Sequence, residues 1–237
     1  MSAHDPLFLG ENNKGVFDAL KPGASLISGD ARSLGFETDR DILKGILSRS
    51  CGTNKADLLA KNLMARFGGF GAVLAASKER LVLEGGISGA AVSDLKLIEA
   101  AVERLAQTQV LYREVISSWD ALMVYCRIKM AHKEVEQFRV LFLDRKNRLI
   151  LDELLQSGTI DHVPVYPREV AKRALEVNAS ALILVHNHPS GDPSPSQSDI
   201  DMTRRVATAL EVLDIQLHDH VIVSREANFS FRSQGKL

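Results

Sequence analysis

Residues 181–201, Ala-Leu-Ile-Leu-Val-His-Asn-His-Pro-Ser-Gly-Asp-Pro-Ser-Pro-Ser-Gln-Ser-Asp-Ile-Asp, constrain the chain more than any other stretch. The apolar run Ala181 to Val185 is short and branched enough for a buried strand, and it ends directly in His186-Asn187-His188. Positions i and i+2 of a strand face the same side, so both imidazoles leave the strand end together. Pro189, Gly191, Pro193 and Pro195 cannot continue the strand and force a stiff connection. Ser196 is a good helix N-cap. Ser196-Gln197-Ser198-Asp199 resembles a capping box with Asp in the Glu position, ahead of apolar Ile200, Met202, Val206 and Leu210. Asp199 therefore falls in the first helical turn, where a carboxylate is favoured and can point back at the histidines. Two neutral imidazoles and one carboxylate match a catalytic zinc (Zn2+) site that leaves a fourth position to water; the competing reading is a polar cluster without a metal.

Composition sets the class of molecule around that loop. With 45% hydrophobic and 25% charged residues the chain is an ordinary soluble globular protein, and 237 residues suffice for one or two domains. A formal net charge of −1 gives no global reason to expect a nucleic-acid or membrane partner. Cys51 and Cys126 are far apart and outside any Cys-x-x-Cys pattern, so they read as reduced core cysteines rather than a disulfide or thiolate site. The start Met-Ser-Ala-His-Asp-Pro lacks the basic and apolar segments of a secretory signal, and no apolar run approaches the roughly 20 residues that span a bilayer. The expected address is cytoplasmic.

Taken in order, residues 1–37 are rich in Gly, Asn, Asp and Ser and read as a poorly ordered extension, with one short amphipathic piece at Val16, Phe17 and Leu20. Residues 38–114 read as a helical domain. Ile42, Leu43, Ile46 and Leu47 recur at helical spacing up to Cys51-Gly52, and Leu58, Leu59, Leu63 and Met64 do so up to Gly68-Gly69. A further helix carries Leu95, Leu97, Ile98, Ala101, Val102 and Leu105. Before it, Leu83-Glu84-Gly85-Gly86-Ile87-Ser88-Gly89-Ala90-Ala91 resembles a helix-hairpin-helix turn, in which amides near Gly86 and Gly89 would grip a DNA phosphate. Against this stand Ser88 in the place of a second glycine and the equal numbers of basic and acidic residues over 1–114, fourteen of each. The alternative is a plain helical hairpin.

Residues 115–237 switch to a strand-bearing pattern. A helix runs to about Ala131, Phe138 to Leu143 and Leu149 to Gln156 form a hairpin around the polar turn Asp144 to Asn147, and Pro167 opens a helix. The 181–201 unit follows, then strands at Ile215 to Ser224 and Asn228 to Arg232. The expected fold class is α/β (α+β): a sheet flanked by helices, preceded by a small all-α domain.

Hydrolysis at a metal site needs a group that takes the proton of the attacking water, usually a carboxylate. Glu136, just before the strand of 138–143, fits best, with Glu153 and Glu169 as rivals. His220, after Asp219 on a strand, is expected to be a core imidazole paired with a carboxylate or carbonyl, or else to orient a ligand; His162 lies outside the motif.

Glu136, His186-x-His188, Ser196 and Asp199 together resemble the JAMM (MPN+) metalloprotease pattern. Glu-Gln-Phe at 136–138, Pro-Arg-Glu-Val at 167–170, His-Asn-His-Pro-Ser-Gly-Asp at 186–192, Pro-Ser-x-x-Asp at 195–199 and Asp-His at 219–220 resemble the RadC family of bacterial JAMM domains. That resemblance implies a JAMM/MPN-like fold and a zinc-dependent hydrolase of peptide or isopeptide bonds acting on a peptide or protein substrate. It implies His186, His188 and Asp199 as metal ligands, Glu136 as general acid/base and Ser196 as a stabiliser of the tetrahedral intermediate. It also carries an association with DNA repair, so the alternative is a non-catalytic JAMM-fold scaffold or DNA-associated factor.

Overall fold

The computed structural model describes residues 36–111, 114–115, 117–158 and 165–237. The expected N-terminal extension, apart from its last two residues, and His162 lie outside these. The described chain begins with five helices, α1 (Asp39–Cys51), α2 (Thr53–Phe67), α3 (Phe70–Ala75), α4 (Lys78–Leu83) and α5 (Gly89–Val110). Thr38 and Asp41 close a reciprocal capping box on α1, and Gly68 ends α2 in the left-handed conformation at φ 90°, where a side chain would be strained. The helices enclose a core of Leu43, Leu47, Ala56, Ala60, Leu63, Leu81, Ile87, Val92 and Leu95.

The inward face of α2 differs from the leucine-based expectation. Ala56, Ala60, Leu63 and Phe67 are buried, whereas Leu58 is 62% exposed. Small residues at helical spacing let α1 and α2 approach closely, and the large leucine is left outside. The same holds on α5, where Leu97 and Leu105 face solvent.

The remainder builds around one five-stranded sheet. Helix α6 (Trp119–Met130) leads into the hairpin β1 (Glu136–Leu143) and β2 (Leu149–Gly158), followed by α7 (Pro167–Glu176), β3 (Ala181–Asn187), α8 (Gln197–Glu211), β4 (Gln216–Val223) and β5 (Asn228–Ser230). The strand order is β2-β1-β3-β4-β5, with only β3 and β4 parallel, as expected of strands joined through a helix. This is a mixed α/β sheet flanked by helices. Among the described residues no helix is long and apolar enough to cross a membrane.

Both faces of the sheet are covered, which is why all seven residues of β3 are buried and none is polar before His186. On one face α6 packs Leu122, Met123, Cys126 and Met130 against Leu141, Ile183, Val185 and Val221. On the other, Val170 and Ala174 of α7 and Val206 and Leu210 of α8 meet Phe138, Val140, Leu182 and Leu184. His186 is the next residue in the Leu182–Leu184 row and so emerges on the α7/α8 face. Helix α5 packs along α6. There Lys129 and Lys133 pair with Glu103 and Glu99 of α5 at 3.3 and 2.6 Å, and Arg80 of α4 pairs with Glu134.

Candidate metal centre

Three elements converge at the carboxyl end of β3. The strand delivers His186, the loop after it delivers His188, and the first turn of α8 delivers Asp199. His186 Nε2 lies 3.0 Å from His188 Nε2 and 3.5 Å from Asp199 Oδ1, and His188 Nε2 lies 3.8 Å from Asp199 Oδ2. Donor atoms 2.0–2.2 Å from one ion at tetrahedral angles sit roughly 3.3 Å apart, so this spacing fits a single small cation. Among the described residues this is the group of His, Cys, Asp and Glu that can hold a metal.

Local chemistry explains the shape of the loop. Gly191, at φ 96°, takes a conformation that favours glycine and donates its N–H to His188 O. Asp192 fastens the loop twice: its backbone oxygen accepts from His188 Nδ1 at 2.7 Å and its carboxylate accepts from Ser194 N at 2.9 Å. At the helix start the capping box is complete. Asp199 N donates to Ser196 Oγ, while Ser196 N and Oγ both donate to Asp199 Oδ2, at 2.8 and 2.6 Å. Oδ2 is thereby held, and Oδ1 is left turned toward His186.

The hydrogen bonds also determine where the imidazole protons sit. Thr203 Oγ1 lies 2.5 Å from Asp199 O, a carbonyl that can only accept, so the hydroxyl donates there and must accept from His220 Nδ1 at 2.6 Å. His220 Nε2 is then bare and accepts from His186 Nδ1 at 2.7 Å. His186 Nε2 is bare in turn. His188 reaches the same state because its Nδ1 donates to Asp192 O. Two unprotonated nitrogens and a carboxylate oxygen thus face one point, an arrangement that repels itself unless a cation occupies it.

His220 therefore differs from one sequence expectation: its partners are an imidazole and a hydroxyl rather than a carboxylate or carbonyl. The bond to His186 Nδ1 is the contact that the alternative reading, a residue orienting His186, requires. Phe231 stacks on its ring at 4.6 Å. Asp219 faces away from this chain and instead accepts from Ser230 Oγ, Arg232 N and His220 N. Thr203 was missed because nothing in its sequence context distinguishes it from any helical threonine.

Thr203→Val keeps the shape and removes the hydroxyl, so His220 loses the acceptor that fixes its tautomer. The affinity of the cluster for added zinc, used as the probe metal and measured by competition with a chromogenic chelator, is expected to fall about 10- to 100-fold while the folded structure persists. Unchanged affinity would disconnect the chain from the ligands.

Burial pushes the His186 imidazole down to about 4, with the Asp199 carboxylate opposing and His188 reinforcing the shift. Burial, followed by the charges of His186 and His188, puts His220 well below its ordinary value. The unfolded chain binds protons at these residues near pH 6.5 and the folded chain does not, so their contribution to stability is present above pH 6.5 and lost as pH falls toward 4. For chelator-treated protein, the urea midpoint is expected to drop between about pH 7 and about pH 4.5, as the unfolding free energy falls by at most ~1.4 kcal/mol per pH unit per imidazole. A flat midpoint would mean that these imidazoles are not buried in neutral form.

The remaining sequence candidates fall in different places. Glu136 is half-buried at the start of β1, and continuing the register Phe138↔His186 by two residues sets it opposite His188. Glu153 pairs with Arg173 at 2.6 Å and Glu169 is exposed beside Arg168. Both rivals line a separate cleft of about 470 Å³ between β2 and α7, which includes none of the three clustered residues. Gly86 and Gly89 flank Ile87, which is buried in the helical core; Gly86 N donates to Val82 O and Ser88 caps α5 by accepting from Ala91 N. Cys51 and Cys126 are free thiols, and burial pushes Cys126 strongly upward.

The chain is similar to known proteins across the sheet and loop. Residues 116–236 match the family model described as a RadC-like JAB domain. A UPF0758 protein from Ruegeria pomeroyi is 57% identical over 199 residues, covering 84% of this chain and 89% of that protein. A UPF0758 protein from Rhodobacter capsulatus is 55% identical over 199 residues, covering 84% and 93%. The sheet, the His-x-His loop and the Ser-x-x-Asp helix start all lie within the matched region, and the chain belongs to the RadC family.

Proposed function

We propose that the protein is a zinc-dependent hydrolase of peptide or isopeptide bonds. The observation that carries this is the proton bookkeeping at the cluster: two imidazoles held with bare Nε2 atoms beside a carboxylate whose other oxygen is already occupied. His186, His188 and Asp199 would hold the ion. Two nitrogens, one oxygen and an open fourth position suit zinc, whose catalytic sites keep three protein ligands. When bound, zinc supplies a Lewis acid that polarises a carbonyl and acidifies a water molecule.

The chain's own groups do the rest. Glu136, on the same face of the sheet as His186, takes the proton of the attacking water and returns it to the departing amine, converting a poor leaving group into a neutral one. Ser196 sits at the mouth of the site and donates to the developing oxyanion, which requires its hydroxyl to turn from Asp199 Oδ2 toward the substrate. Its N–H stays on Asp199 throughout and keeps the ligand oriented. A scaffold would have no use for a carboxylate beside an open ligand position, which favours the enzyme.

The test is digestion of a peptide library, including isopeptide-linked members, with zinc-loaded protein in the presence and absence of chelator. Cleavage that chelator abolishes and zinc restores supports the proposal. Cleavage indifferent to chelator, or none with one zinc per chain bound, contradicts it.

A further inference from the structure

Asn187 lies between the two histidines and its side chain leaves β3 on the opposite face from theirs, toward the segment that connects α6 to β1. It is completely buried. A buried carboxamide must satisfy its donors and its acceptor, and this one does so entirely on main chain. Its Oδ1 accepts from Gln137 N at 2.8 Å, and its Nδ2 donates to Val135 O at 3.2 Å and to Lys133 O at 3.3 Å.

Two of those three groups belong to the peptide units on either side of Glu136: Val135 O to the one before it, Gln137 N to the one after. The β1–β3 pairing ends at Phe138↔His186, while β2 stays paired with β1 out to Glu136↔Gly158, so beyond Phe138 the Asn187 side chain joins β1 to the histidine-bearing strand where β1–β3 ladder bonds no longer do. The third partner, Lys133, is anchored independently through its Nζ to Glu99 of α5 at 2.6 Å.

We propose that Asn187 is a positioning residue that fixes the backbone of Glu136 relative to the histidine-bearing strand. The proposal rests on Glu136 being the general base. One side chain thereby ties the base to the ligand strand: it is rooted between the two histidines and grips both peptide units of the base. No other side chain of similar size supplies one acceptor and two donors in this geometry. Aspartate keeps the bond to Gln137 and loses both donors, and alanine loses all three bonds.

The experiment compares zinc-loaded wild type, Asn187→Ala, Asn187→Asp, Glu136→Gln and the double variant Asn187→Ala/Glu136→Gln. It reads zinc content, hydrogen exchange at the Gln137 amide, and kcat and KM on a cleaved peptide. In Asn187→Ala zinc is expected to stay at one per chain, and the Gln137 amide to exchange roughly 10-fold faster or more, as loss of a buried hydrogen bond implies. Its kcat should fall roughly 10- to 100-fold, the scale set by misplacing a catalytic group, with KM little changed. Asn187→Asp should keep Gln137 protected yet lose kcat. In the Glu136→Gln background Asn187→Ala should cost nothing further, because the group it positions can no longer take a proton. Unchanged exchange and kcat in Asn187→Ala would overturn the proposal, as would an equal loss with and without Glu136. Wild-type kcat in Glu136→Gln would overturn the general-base reading and this role with it. That outcome is distinct from failure of the clamp alone, in which Glu136→Gln is slow and Asn187→Ala is not.

Discussion

The His186→Ala variant is expected to purify with zinc occupancy reduced from one ion per chain to a small fraction, and to lose chelator-sensitive hydrolysis with it. Two protein ligands hold a zinc ion poorly against water, and the truncation does further damage. His220 Nε2 would lose the His186 donor and the chain through Thr203 to Asp199 would end in an empty space. His188→Ala is expected to act in the same direction, and additionally frees the Asp192 carbonyl that folds the loop. Metal analysis after dialysis checks both, with circular dichroism to show that the sheet persists. Stoichiometric zinc in a His186→Ala, His188→Ala double variant would remove the ion from this site altogether.

Glu136→Gln should separate catalysis from metal binding. Glutamine preserves size and hydrogen-bonding capacity but cannot take a proton, and Glu136 is not among the three clustered donors. Zinc content should therefore stay at one per chain while kcat falls by roughly 10²-fold or more, the scale of a lost general base. The same substitution at Glu153 or Glu169 should leave turnover near wild type. Glu153 is committed to Arg173 on the far side of β1, and Glu169 points to solvent from α7. Loss of zinc in Glu136→Gln would make the residue a ligand or a structural support. Full activity would return the search for the base to the other carboxylates.

The clustered residues were legible because their spacing is local: His186, His188, Ser196 and Asp199 occupy one strand end, one loop and one helix start, each with its own sequence signal. The strands were legible for a related reason, since a sheet covered on both faces leaves unbroken apolar runs such as Leu182 to Val185. What connects those residues was not. The partners of His220 come from 34 residues upstream and from the facing helix, 17 residues away. A core histidine and an orienting histidine look the same in sequence. Asn187 was readable only as the spacer of His-x-His. Its carboxamide meets three main-chain groups that are 50 or more residues distant, which no local pattern reveals. In the helical part, the spacing of large apolar residues marks α2 and α5 as helices but not their inward faces, because close helix packing buries Ala56 and Ala60 and leaves Leu58, Leu97 and Leu105 outside.

Zinc-edge X-ray absorption on protein stripped with chelator and reloaded with one equivalent of zinc reads the donor atoms around the ion directly. The expected result is a low-coordinate shell of two imidazole nitrogens at about 2.0–2.1 Å and oxygen donors at about 2.0–2.2 Å, with no sulfur. A sulfur shell near ~2.3 Å, which would implicate Cys51 or Cys126, or an all-oxygen shell without imidazole scattering, would contradict it.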